Sequence, residues 1–123
     1  MENILHILIA LFCLPLTLLG LKSLLTPKGM AEAQSLVAEG AAGLNAIRGL
    51  LGGFFLASAA MLLLGLLTSQ TLWFVAVALL MGGVVLGRLI GIARDGLDKA
   101  VLPPLAIELV IGGVLLTTHF LAT

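Results

Sequence analysis

The chain has 123 residues, 61% of them hydrophobic and 10% charged, with a mean hydropathy of +1.27 and a formal net charge of zero. Six Lys/Arg and six Asp/Glu cannot cover a soluble domain of this length, so a water-soluble globule is excluded. The absence of any basic block argues against a nucleic-acid partner, and the single cysteine, Cys13, rules out an internal disulfide or a C-x-x-C motif.

Apolar runs of about 18 residues or more are the signature of helices that cross the ~30 Å hydrocarbon core of a membrane. Four such runs lie at roughly 3–25, 44–68, 71–93 and 102–122. They predict an all-α, four-helix membrane bundle forming one domain over residues 1–123. The first run follows "MENILHIL", which lacks a basic n-region, and no A-x-A cleavage pattern comes after it, so it is expected to be retained as a helix. It carries His6 near its start, Cys13 in the middle and Pro15, which is expected to kink it. Thr17 here, and Ser58, Thr117 and Thr118 later, are expected to bond to their own helix backbones.

The connection 26–43, "TPKGMAEAQSLVAEGAAG", ends the first helix at Thr26-Pro27 and favours a short helix over "MAEAQSLVAE", lying at the membrane surface. The second run carries Asn45, Arg48 and the small-residue stripe Gly49-x3-Gly53-x3-Ala57. After the tight turn "TSQT" comes Trp73, placed for the aromatic belt. The third run carries Gly83-x3-Gly87-x3-Gly91, with Arg88 inside it and Arg94-Asp95 at its end. Gly96 stops that helix, and Pro103-Pro104 opens the fourth, which carries Glu108, Gly112 and, near its end, His119. The glycine stripes are expected to form flat faces where helices pack closely in lipid.

All the Lys and Arg (Lys22, Lys28, Arg48, Arg88, Arg94 and Lys99) lie towards the face that receives the 26–43 and 94–101 links. The positive-inside rule makes that face cytoplasmic and places both termini on the outer, periplasmic side. The phrases "AIRGLLGGFF" (46–55) and "AIELVIGGVL" (106–115) share the pattern A-I-(R/E)-x3-G-G, with Glu108 standing where Arg48 was, which sets these two charges at one depth. Arg88 approaches the same layer from the third helix. Turned inward, the three compensate one another, since each is costly when left alone towards lipid. If Glu108 takes one arginine, the other needs an anion, either Asp95, seven residues after Arg88, or a lipid phosphate. A structural ion-pair network is the plainer alternative.

His6 and His119 share the outer side but lack a third ligand, so no metal site and no cofactor are expected. No nucleophile–base pair or phosphate-binding loop stands out, and an enzyme is not expected.

The runs "GLNAIRGLLGGFFLASA" (43–59), "LGRLIGIARDG" (86–96) and "ELVIGG" (108–113) together resemble a family of small bacterial four-span membrane proteins classed as a domain of unknown function. More distantly the chain looks like the DoxX-like four-helix membrane proteins. The resemblance implies a multi-pass protein of the bacterial inner membrane, and the positions matching the family's polar pattern are Asn45, Arg48, Arg88, Asp95 and Glu108. Some of the wider group are similar to membrane partners of thiol-redox systems, a role that a single cysteine does not serve. The expected function is binding of a lipid headgroup or small anionic amphiphile in an Arg/Glu-lined pocket open to the cytoplasmic leaflet. Two alternatives stay open: an accessory subunit docking a second copy or another membrane protein, and a small proton-coupled transporter using Glu108.

Overall fold

The computed structural model describes residues 2–122 and is built from helices. Helix α1, Glu2–Leu25, is unbroken despite Pro15. It stops where Thr26 folds its hydroxyl back onto the Lys22 carbonyl at 3.0 Å and Pro27 offers no N–H to continue the ladder. That proline then sits in the first turn of the short α2, Pro27–Ala33. Ser35 and Gly40 take left-handed backbone angles and redirect the chain into α3, Gly40–Thr68. Helix α3 thus starts ahead of the expected residue 44, because the Ala-rich "GAAG" continues the ladder outward and Gly43 N–H bonds to Glu39. Within α3 the stretch Ile47–Gly52 is wound as a wider π-type turn.

A left-handed Ser69 ends α3, and three residues later α4, Leu72–Asp95, begins. Gly96, at φ +91°, terminates α4. The Asp98 carboxylate accepts from Ala100 N–H at 2.9 Å and starts a 3₁₀ turn, Lys99–Val101, that leads into α5, Leu102–Ala122. The four long helices are each long and apolar enough to cross a membrane, which makes this a multi-pass membrane protein in architecture. The 69–71 and 96–101 links are too short for anything but antiparallel neighbours.

Helix α1 packs along α3, and α4 along α5; the two pairs meet through α3–α4 and α1–α5. The main core joins Ile9 and Leu16 of α1, Leu62 of α3, Phe74 and Val77 of α4, and Leu115 of α5. It fills the half of the bundle nearer the 69–71 turn. In the other half, α2 folds against α1 and the π turn, burying Met30 and Ala31 beside Ile47. This helix covers Pro27–Ala33 rather than the expected 30–39, and its apolar side finds protein. Many outward side chains are large and exposed, such as Leu67 at 73% exposure and Leu79 at 71%, as expected of a lipid-facing surface.

The expected glycine packing is corrected by the fold. Side-chain-free contacts occur at other glycines: a Cβ on Gly20 would meet Leu56 Cγ at 2.6 Å, and one on Gly65 would meet Phe74 Cε1 at 2.5 Å. Gly52 lies against Leu24, where a Cβ would come to 3.0 Å. Gly49, Gly53, Gly83, Gly87 and Gly91 have nothing within 4 Å of a would-be Cβ, and Gly112 only Met81 at 3.9 Å. The reason is azimuth. Gly83 and Gly87 each follow a core residue, Phe74 and Ala78, by nine positions, which at ~100° per residue is the opposite side of the helix.

Candidate functional site

The two helix pairs converge on the core and leave a cavity of about 410 Å³ in the half nearer the 34–39 and 96–98 links. Pro15, Leu16 and Leu19 of α1, Phe54 and Phe55 of α3, Met81 and Val84 of α4, and Ile107 and Ile111 of α5 give it apolar walls. The two phenylalanines stack edge to face, with ring centres 5.2 Å apart. Leu50 and Ile107 at the rim are 75% and 59% exposed, so the cavity opens on the bundle surface. Three polar side chains reach it: Gln34, Arg88 and Glu108.

Arg88 lies about two turns before the end of α4 and Glu108 about two turns after the start of α5, roughly 10 Å in from the link at ~1.5 Å per residue. Matched depth on adjacent antiparallel helices lets them meet two-pronged. Arg88 Nε donates to Glu108 Oε2 at 2.8 Å and Oε1 at 3.0 Å, and Nη2 donates to Oε1 at 2.9 Å. The side chains are 25% and 14% exposed, and this is the only salt bridge among the described residues. A bidentate guanidinium–carboxylate pair of this kind fixes orientation as well as charge.

The other expected site residues lie elsewhere. Arg48 shares the depth but points to α1, where its Nη1 donates to the Leu24 carbonyl. The C-terminal turn of a helix leaves carbonyls without N–H partners, and a cation satisfies one of them. The reversed sign in the repeated phrase therefore has two separate partners, a helix end for Arg48 and an arginine for Glu108. Asp95 is exposed at the end of α4 and does not join Arg88, whose guanidinium is already turned towards α5. Asn45 is exposed and outside the cavity. The cavity thus holds one cation and one anion, and the surplus arginine that called for an anion is absent from it.

Sequence reasoning missed Gln34. A glutamine in a polar link looks solvent-bound, and only the folding of α2 against α1 and α3 brings it to the cavity. It also missed the π turn, which ends at Gly52 against Leu24 of α1 and supplies Leu50 and Leu51 to the wall. Such widened turns are frequent at functional sites. Among the back-bonding hydroxyls, Thr17 bonds to Cys13 and Thr118 to Val114, at 2.7 and 2.8 Å. Ser58 departs from the expectation, since its buried hydroxyl finds no partner.

At the opposite end a cleft of about 430 Å³ is lined by His6, Ser69, Thr71 and Thr118. His119 Nδ1 and Thr71 Oγ1 are hydrogen bonded at 2.9 Å, tying α5 to the start of α4. No group of three or more His, Cys, Asp or Glu among the described residues is placed to hold a metal ion.

A four-helix membrane bundle with one internal charge pair facing an apolar cavity is the class that fold and geometry define. The chain belongs to the family described as Domain of unknown function (DUF4345), whose pattern it matches over residues 4–119. No curated protein and no solved structure matches it, so the more distant DoxX-like resemblance rests on the quoted motifs alone.

Proposed function

We propose that this multi-pass membrane protein holds a lipid headgroup or small amphiphile in the cavity between its helix pairs, with the end that carries the 34–39 and 96–98 links facing the cytoplasm. The observation that supports this reading most is the placement of the Arg88–Glu108 pair. It stands at the wall of an apolar cavity of about 410 Å³, within the ~300–1,000 Å³ range usual for small-molecule sites. An apolar pocket with a few convergent polar groups fixes an amphiphile by both its parts. The tail lies along Phe54, Phe55 and Ile111, and the head meets Arg88, Glu108 and Gln34. The Lys and Arg residues gathered at that end support this orientation.

Native mass spectrometry of the protein extracted in mild detergent tests the reading. A persistent adduct is expected on the native chain, lost when Val84→Trp fills the cavity and weakened by about tenfold in Arg88→Ala. Arg48→Ala is expected to keep the adduct, because its side chain braces α1 outside the cavity. A bare native chain, or an adduct indifferent to Val84→Trp in a variant that remains folded, overturns it.

A further inference from the structure

We infer that the amphiphile bound in this cavity carries a head of zero net charge, presenting a hydrogen-bond acceptor to Arg88 and a donor to Glu108. The inference rests on the cavity being a binding site and goes on to choose the chemistry of its occupant.

Arg88 is not a free cation waiting for an anion. Its Nε and Nη2 are both committed to the Glu108 carboxylate, at 2.8–3.0 Å. Only Nη1 has no partner among the described residues, so an incoming group meets one edge of the guanidinium and the carboxylate beside it. A phosphate monoester or a carboxylate brought to that edge sets two negative groups side by side against apolar walls, where repulsion is weakly screened. To avoid this it must displace Glu108, leaving a carboxylate of 14% exposure without its cation.

A head with both a donor and an acceptor meets neither penalty. Its acceptor takes Nη1, and its donor takes a lone pair that the carboxylate leaves free, since an ionised carboxylate accepts about four hydrogen bonds. The Gln34 amide, on the same cavity, makes no side-chain hydrogen bond among the described residues. It supplies a donor and an acceptor together, with no charge, and so suits the same kind of head. Arg48, Lys22 and Lys28 do not line the cavity, so none of them is placed to contact an anion within it. Two sources share this chemistry: a zwitterionic ammonium–phosphate head, and an uncharged hydroxyl-bearing head.

The test loads the full chain into nanodiscs of phosphatidylethanolamine, diacylglycerol and phosphatidic acid in equal parts with matched chains. Retained lipid is then weighed on the released protein. Phosphatidylethanolamine or diacylglycerol is expected to be kept over phosphatidic acid by about tenfold. The ethanolamine lipid alone identifies a zwitterionic head, and diacylglycerol alone an uncharged one. Glu108→Gln, which releases the guanidinium while keeping the side-chain shape, is expected to raise the phosphatidic acid share. Phosphatidic acid kept equally or better by the native chain overturns the inference while leaving the cavity reading intact, whereas loss of all three lipids from a folded native chain removes the cavity reading itself. The native ranking decides the matter even if Glu108→Gln does not fold.

Discussion

Two arginines that look alike in the sequence have different tasks. Arg48 braces the end of α1 through the Leu24 carbonyl, whereas Arg88 is locked to Glu108 at the cavity wall. Distance along the helix fixes how deep each charge lies, because every residue adds its rise to the helix. It does not fix which way the charge points. Ser58 teaches the converse. A serine in a membrane helix ordinarily bonds back to its own backbone, and Thr17, Ser23 and Thr118 do so. Ser58 is fully buried with an unpartnered hydroxyl. Leaving a buried hydroxyl unpaired costs about 1–3 kcal/mol, so Ser58→Ala is expected to stabilise the fold by about 1 kcal/mol. Thermal unfolding in detergent checks this, and a lower midpoint for the variant refutes it.

At the scale of helices, packing is decided by which side of each helix carries the long side chains. Helix α4 turns Phe74, Val77, Ala78 and Met81 inward, and its glycines Gly83 and Gly87 consequently face away. The close approaches are made instead by Gly20 and Gly52, between α1 and α3, and by Gly65 beneath the ring of Phe74. Gly65→Ala is therefore expected to lower the unfolding midpoint, since its Cβ would stand 2.5 Å from a ring carbon. Gly87→Ala is expected to leave the midpoint unchanged or raise it, because it meets nothing within 4 Å and alanine favours a helix by about 0.8–1 kcal/mol. Equal effects of the two substitutions would contradict this arrangement. The stripes themselves are plain in the sequence. Their direction is not, since small residues spaced by four look the same on either side of a helix.

Across the whole molecule, the half near the 69–71 turn is closed by the core and the half near the links is held apart around the cavity. Three-residue spacing between α3 and α4 pins the first half together. In the second half the 34–39 and 96–98 links leave room, and α2 occupies part of it by burying Met30 and Ala31. The orientation proposed here is checked by single cysteines in a Cys13→Ala background. Gln70→Cys is expected to react with a membrane-impermeant maleimide on intact cells, and Leu97→Cys only after permeabilisation. The reverse pattern refutes the orientation and moves the cavity to the other leaflet.

The sequence by itself determined the architecture: four hydrophobic runs, each long enough to cross a membrane, with turn residues between them and helices predicted because an apolar run of that length satisfies its backbone within itself. It also determined the depth of Arg48, Arg88 and Glu108. The tertiary structure decided which of these charges meet. Partnership depends on azimuth and on neighbouring helices, and a run that is apolar all round carries little signal of either. The π turn at Ile47–Gly52, the tucking of α2 and the arrival of Gln34 at the cavity are likewise products of packing between segments distant in the chain. Local sequence sets length and depth because both follow from the helix ladder, whereas the site exists only once four such helices have chosen the faces they bury.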